Sequence, residues 1–315
     1  MIPVLHPDGL DALAAAPMAW TLLVGGTLIF MVMMVLLVLA VRGPARPVRP
    51  LWWLAGGGLV FPSLVLLALH GANLQHIERL SSVPPPGTPL LAVTARSWWW
   101  ELRLEDALGP LTFANELVLP VGQPVHLALA SDGVIHSLWV PALAGKLDLV
   151  PGRIQHLLLQ SDKAGEWRGP CAEFCGQGHT QMVLTVVALP AADYAAWLAN
   201  QRLPARAPAT ELQQLGLQHF VQQRCSACHT VRGVALALLP AMVGDGQEGE
   251  QGGPDLTHLA SRRSIAAGTL RNDASNLRAW LIDPQQFKAG ARMPAYGHLD
   301  PAAMDALVAY LSSLQ

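Results

Sequence analysis

Residues 12–41 carry no charged side chain. Within them the run 20–41 is long enough to cross the roughly 30 Å hydrocarbon layer of a bilayer as a helix. In lipid every backbone N–H and C=O must be satisfied inside the segment, and a helix does this. A cleaved signal peptide is the rival reading, but its apolar core would be about 7–15 residues behind a basic start. The start here holds Asp8 and Asp11 and no Lys or Arg. A short Pro-rich connection with Arg42, Arg46 and Arg49 leads to a second apolar run at 51–70. Residues 1–80 thus read as an N-terminal tail and a two-helix transmembrane hairpin, with Trp20, Trp52 and Trp53 as interfacial anchors. The positive-inside rule puts the three arginines in the cytoplasm, and the tail and everything after about residue 78 outside. With 52% hydrophobic and 13% charged residues the chain is too apolar for an ordinary soluble enzyme, yet its 315 residues leave room for two small domains. A net charge of −2 offers no basic surface for nucleic acid.

After Pro84-Pro85-Pro86-Gly87 the pattern turns to short β-type segments at 90–94, 117–119, 125–130, 156–160 and 183–188. They predict an all-β, cupredoxin-like domain at 88–190, able to bring His136 on one loop beside a cysteine loop further on. Trp98-Trp99-Trp100 cannot all face inward on one strand, because side chains alternate faces; at least one should be exposed or interfacial. Residues 201–210, with Pro204 and Pro208, read as a flexible linker. Residues 211–315 become helical, an all-α domain.

Two groups of residues carry chemistry. Cys171, Cys175, His179 and Met182, with His136 upstream, are soft donors that suit copper far better than calcium or magnesium. A single blue-copper ion needs one Cys, two His and a weak Met, so the second Cys is surplus. Two bridging thiolates can instead hold a pair of copper ions, with one His on each, Met182 on one ion and a backbone carbonyl such as that of Glu173 on the other. Two alternatives stay open: a two-Cys, two-His zinc site, which leaves Met182 idle, and a Cys171–Cys175 disulfide, which leaves both His unexplained. The second group is Cys225-Ser226-Ala227-Cys228-His229, the attachment motif of a c-type haem, with His229 as an axial ligand. Met293, before Pro294, is the candidate sixth ligand. Met304 shares a helix face with Leu307, Leu311 and Leu314 and reads as core; Met242 lies by a Gly-rich loop at 243–253. His258 could compete, though a surface role or a hydrogen bond to a haem carboxylate suits it better. All four cysteines are used, leaving none for a structural disulfide.

Val134-Ile135-His136-Ser137-Leu138-Trp139-Val140-Pro141, then Lys146-Leu147-Asp148-Leu149-Val150-Pro151-Gly152-Arg153, then the cysteine loop, resemble subunit II of cytochrome c oxidase with its binuclear CuA centre, over most of residues 20–190. The block from Gly253 to Arg262, the 276–284 helix and the Met293 loop resemble the cytochrome c domain fused to subunit II in caa-type haem-copper oxidases. The resemblance implies the electron-input subunit of a proton-translocating oxidase, passing electrons through haem c and CuA to haem in subunit I, where dioxygen becomes water. It implies Trp98 as the electron-input point and the Glu173 carboxylate on a magnesium ion at the boundary with subunit I. Further implied partners are subunit III, a c-type cytochrome or other periplasmic donor, and membrane lipid. The implied location is a bacterial inner membrane with both soluble domains on the periplasmic side. Neither span carries a mid-depth histidine, so the oxygen-reducing site belongs to another subunit. A carrier serving a nitrous-oxide or nitric-oxide reducing system is the alternative; a metal-free quinol oxidase subunit is disfavoured by the complete ligand set. One departure stands out. Many family members carry a glutamate near the cytoplasmic start of the second helix, whereas residues 49–54 hold no acid. Proton uptake is therefore expected not to use a carboxylate of this chain, with Glu78 interfacial.

Overall fold

The structure, a computed structural model, describes residues 6–44, 47, 49–80, 90–233 and 252–315, with side chains up to residue 74 in the second helix. Arg46, Met242, residues 243–251 and the side chains of His76 and Glu78 lie outside the described residues. Helix α1 (Leu10–Arg42) is 33 residues long, about 50 Å at 1.5 Å per residue, so it outruns both the expected span and the roughly 30 Å hydrocarbon layer. Its first turns are held by the β domain. The Asp8 and Gly9 N–H groups donate to the Ala142 carbonyl at 2.7 and 3.0 Å, and that of Ala12 to Leu143 at 3.2 Å. The Asp8 carboxylate accepts from Trp167 Nε1 and Lys163 Nζ, both at 3.1 Å, and these partners hold its pKa below the usual range. A Cβ on Gly9 would stand 2.3 Å from the Leu143 carbonyl oxygen, so no larger residue fits this approach. The start of α1 and the β domain therefore lie on one side of the hairpin. The second span begins as a π-helical stretch, Trp52–Val60, through three glycines and continues as α2 (Phe61–Leu80). Large apolar side chains stand exposed along both helices, for example Leu39 at 62% and Leu67 at 67%, as lipid-facing surface requires.

The β domain comprises β1 (Leu90–Arg96), β2 (Trp99–Asp106), β3 (Gly109–Ala114), β4 (Glu116–Pro120), β5 (Val125–Ser131), β6 (His136–Leu138), β7 (Leu147–Leu149), β8 (Gln155–Leu159), β9 (Gly165–Pro170) and β10 (Val183–Leu189). One sheet runs β3-β2-β1-β5-β8 and another β4-β10-β9, with β6-β7 as a separate pair. β1 lies parallel to β5 and β4 parallel to β10; the remaining pairs are antiparallel. Alternate residues point inward: Leu91, Val93 and Ala95 of β1 and Leu127 and Leu129 of β5 meet Leu117, Leu119, Leu184 and Val186 from the other sheet. Burying each such side chain contributes about 1.5–3 kcal/mol. The chain switches sheets between β3 and β4 at Asn115, whose φ is +63°, a conformation Asn tolerates better than most residues. Its N–H donates to the Trp100 carbonyl at 2.9 Å and its Oδ1 accepts from Trp100 N at 2.9 Å. After β10, helix α3 (Ala191–Arg202) packs Trp197 edge-on against Phe113 with ring centroids 5.6 Å apart.

The C-terminal domain contains α4 (Glu211–Gln222), a small hairpin of β11 (Ser264–Ile265) and β12 (Leu270–Arg271), α5 (Ala274–Ile282), α6 (Pro284–Phe287) and α7 (Pro301–Leu311). Thr210 and Gln213 form a capping box on α4, and Asp300 caps α7 with Pro301 in its first turn. α4 and α7 cross at Gly216, where a Cβ would sit 1.9 Å from the Ala306 carbonyl oxygen; any side chain there would force the helices apart. Met304 is buried in the core beside Leu307 and Leu311.

The segment 201–210, expected as a flexible linker, is fastened along its first half. α3 runs through Arg202, which pairs with Asp106. The Gln201 carbonyl accepts from Arg232 Nη2 at 2.7 Å, the Leu203 carbonyl from His258 Nε2 at 3.0 Å, and Ala205 N–H donates to the Arg232 carbonyl at 2.9 Å. His258 is thereby buried against backbone and occupied, at neither a surface nor a haem-facing position. The β11–β12 hairpin adds a second seam between the domains. Val183 N–H donates to the Ala267 carbonyl at 2.9 Å, Arg168 Nη2 to Gly268 at 3.0 Å, and Arg263 pairs with Glu116 at 3.2 Å and Glu166 at 2.8 Å. Trp99 buries itself with Ala114 and Ala267, so part of the tryptophan run is covered by this chain's own C-terminal domain.

Candidate metal and haem sites

Residues 171–182 link β9 to β10, and His136 opens β6 beside them. The Cys171 N–H donates to the Met182 carbonyl at 2.9 Å, and that of Ala172 to Ser137 at 3.0 Å; these bonds fix the loop against the strand that carries His136. His136 Nδ1 lies 3.8 Å from Cys171 Sγ, His179 Nδ1 lies 3.6 Å from Cys175 Sγ, and the two sulfurs are 3.9 Å apart. The Glu173 carbonyl is 3.3 Å from Cys171 Sγ. Met182 is fully buried beneath the loop. A disulfide would bring the sulfurs to about 2.05 Å. Ions about 2.0–2.3 Å from nitrogen and sulfur donors, the range of zinc sites, fit between groups 3.6–3.9 Å apart. The pairing of one His with each Cys suits two ions better than one.

The electrostatics agree with a neutral His136 imidazole and a thiol proton that a metal must displace. Burial, with His179 nearby, holds the His136 pKa down to about 4. Burial and the neighbouring Cys171 push the Cys175 thiol up to about 12. Metal binding at such a pair releases protons and strengthens as pH rises. The Glu173 carboxylate lies 3.7 Å from Lys146 Nζ.

Cys225, Cys228, His229 and Met293 all line one cavity of about 440 Å³. Cys225 and Cys228 sit on and after a tight helical turn, Cys225–Ala227, which α4 delivers through Arg224 in a left-handed conformation. His229 Nδ1 donates to the Pro254 carbonyl at 2.8 Å. That bond fixes the tautomer and leaves Nε2 free for iron, while burial lowers the His229 pKa. A Cβ on Gly253 would stand 2.6 Å from the His229 ring, so glycine permits the close approach. The cavity's lining and donor set fit a covalently attached haem.

Trp98 lies between the two groups. Its Nε1 donates to the Cys175 carbonyl at 2.7 Å. Its ring passes so close to Gly178 and Gly290 that a Cβ on either would stand within 3.0 Å of ring carbons. Gly178 belongs to the cysteine loop and Gly290 to the loop that leads to Met293. The Trp98 carbonyl accepts from Lys288 Nζ, and Trp98 and Trp99 also line the cavity. Lys288, Gly290 and Arg262 stand within the segments that resemble the cytochrome c domain, but nothing in the sequence gives them a role of their own. The available signal was the placement of Lys288 and Gly290 just before Met293-Pro294.

Two apolar helices, a thiolate–imidazole pair of the copper kind and a haem-attachment cavity define a membrane-anchored electron-transfer protein. Residues 93–189 match the family described as cytochrome C oxidase subunit II, periplasmic domain, and residues 213–315 match cytochrome c. Subunit 2 of cytochrome c oxidase from Bacillus sp. strain PS3 is 32% identical over 270 residues, covering 81% of this chain and 72% of that protein. The same subunit from Alkalihalophilus pseudofirmus is 36% identical over 228 residues, 72% of this chain; the match spans 62% of that relative's length. The periplasmic domain of subunit II of cytochrome oxidase from Bradyrhizobium japonicum aligns at 24% identity and a TM-score of 0.36, over 38% of this chain and 97% of that one. The chain belongs to the cytochrome c oxidase subunit II family and carries a fused C-terminal cytochrome c domain. Membership implies haem c and CuA as cofactors, and subunit I of a haem-copper oxidase as partner; it does not favour the alternative of a carrier for a nitrogen-oxide reducing system.

Proposed function

We propose that this chain is the electron-input subunit of a respiratory cytochrome c oxidase, taking electrons from a c-type cytochrome or other periplasmic donor and delivering them to haem in subunit I. The observation that carries the reading is Trp98, bonded to Cys175 of one site and packed on Gly290 of the other. In this reading Cys225 and Cys228 would attach the haem, and His229 and Met293 would hold its iron. His136, Cys171, Cys175, His179, Met182 and the Glu173 carbonyl hold the copper pair. Bound there, each group supplies a one-electron couple. The protein's own work is positioning: the Pro254 carbonyl holds the His229 ring, the loop hydrogen bonds hold the thiols, and the sandwich core excludes water from Met182 and His136. The hairpin anchors the chain in a bacterial inner membrane with both soluble domains on the periplasmic side, beside subunits I and III and lipid. The contact of Asp8 with Lys163 supports this topology, since it puts the amino-terminal end of α1 on the side of the β domain.

The decisive test is purification of the full chain from its native membrane. A histidine-rich multi-span subunit should accompany it with oxygen uptake, and His229→Ala should abolish uptake driven by a c-type donor while copper content is retained. A chain that purifies alone, or uptake indifferent to His229, would overturn the reading. The Glu173 carboxylate, whose only described ion-pair partner is Lys146, is assigned to a magnesium ion at the subunit I boundary, a hard cation that prefers oxygen ligands. Glu173→Gln should lower magnesium or manganese occupancy in the complex with copper unchanged. Equal occupancy in both proteins would remove Glu173 from that role.

A further inference from the structure

Lys288 is a buried cation that no carboxylate pairs with among the described residues; the charge-bearing group it feels is the Cys175 thiol of the metal loop. It is 5% exposed, it lines the haem cavity, and among the described residues its hydrogen bonds go only to the backbone carbonyls of Trp98 and, at 3.5 Å, Ala266. Arg262 lines the same cavity, and its described hydrogen bond goes to the Asp255 carbonyl. The nearby carboxylates are engaged elsewhere: Asp255 with Thr257 N–H at 2.7 Å and Arg232 at 3.8 Å, Glu116 with Arg263 at 3.2 Å. The described hydrogen bonds of both cations go to neutral backbone carbonyls, so an anion entering the cavity would offset much of their desolvation cost. A c-type haem brings that anion. Its thioethers are on one edge of the macrocycle and its two propionate carboxylates on another, and a charged oxygen at an ammonium or guanidinium makes a strong, short hydrogen bond.

The position of Lys288 gives this a second consequence. The wall it occupies is shared between domains: Ser97, Trp98, Trp99 and Asn115 of the β domain line the cavity with Lys288, Ala266 and Arg262 of the cytochrome domain. Resting on the reading that haem attaches at Cys225 and Cys228, we propose that Lys288, aided by Arg262, binds the haem propionates at the domain seam. The attached haem thereby completes the docking of the cytochrome domain onto Trp98. Lys288 is a positioning residue in this scheme. Of the three N–H donors on its ammonium, one holds the Trp98 carbonyl and another would reach a carboxylate of the haem, which would make the haem part of the interface it faces.

The test uses the full chain in detergent, with Lys288→Met, Lys288→Arg and wild type. Covalent haem, read after denaturing electrophoresis, is checked first: its absence in wild type overturns the attachment reading itself, separately from the role of Lys288. With haem attached, Lys288→Met should disfavour haem reduction about tenfold, 59 mV for one electron, because a cation beside the propionates stabilises the reduced haem less once removed. It should also speed proteolytic cleavage within 203–210 in the haem-loaded chain. Lys288→Arg should restore both. A haem potential and cleavage rate equal to wild type in Lys288→Met would overturn the proposal. Faster cleavage with an unmoved potential would overturn it too, because it would leave Lys288 as a bond to the Trp98 carbonyl alone.

Discussion

Replacing Cys175 with serine is expected to eliminate the paired-copper centre while leaving haem covalently attached. Serine is nearly the same size, so the loop, held by the Cys171–Met182 and Ala172–Ser137 backbone bonds, should still fold. Its hydroxyl, however, is a hard, protonated donor and cannot bridge two soft ions as a thiolate does. Cys175 sits 3.9 Å from Cys171 and 3.6 Å from His179, so one change strips a donor from both ions. The loss in copper affinity should exceed the roughly 10–100-fold typical of removing a supporting hydrogen bond. Electron paramagnetic resonance reads this directly: the oxidised wild type should show hyperfine structure from two equivalent copper nuclei, and Cys175→Ser should show a single-copper pattern or none. A one-nucleus pattern in the wild type would replace the pair with a mononuclear site.

Trp98→Ala should have the next largest effect, on transfer between the two sites and on the seam. The substitution removes the bond to the Cys175 carbonyl and the ring that fills the space between Gly178 and Gly290. Loosening by about 1 Å is enough to cost on the order of 10²-fold in a reaction that depends on fixed geometry. Single-turnover oxidation of reduced haem, followed optically, should slow by about that factor, with steady oxygen uptake falling in step. Trp98→Phe should fall between, because it keeps a ring on the glycines and loses only the N–H bond. A rate unchanged in Trp98→Ala would mean that electrons cross the seam elsewhere, for example along the Val183–Ala267 backbone contact.

Much of this was readable in the sequence where local pattern and chemistry coincide. β1, β4, β5, β8 and β10 carry the apolar alternation or β-branched runs that mark half-buried strands. The copper and haem residues announced themselves by ligand type and spacing. β2 is hidden because the tryptophan run masks the alternation of Leu102 and Leu104 with Glu101 and Arg103, and β9 because Gly165, Arg168 and Gly169 leave little apolar signal. The seam was illegible for a different reason. Pro204 and Pro208 suggest a free linker, but what fixes it is Arg232, Arg202 and His258 reaching carbonyls distant in sequence. Likewise the Ala266-Ala267-Gly268 turn has no composition that predicts a docking element; its positive φ angles and its fit against Val183 appear only in three dimensions.

The clasp on the first turns of α1 gives that helix a mechanical part. Because Asp8, Gly9 and Ala12 are bonded into the β domain and the helix runs unbroken to Arg42, the domain is keyed to a shaft rather than moored by a cord. Adding one residue to the shaft below Ala12 would turn the domain by about 100° and raise it by about 1.5 Å. The heading of the cysteine loop above the lipid, and so the face it shows to subunit I, is written in the number of residues in α1.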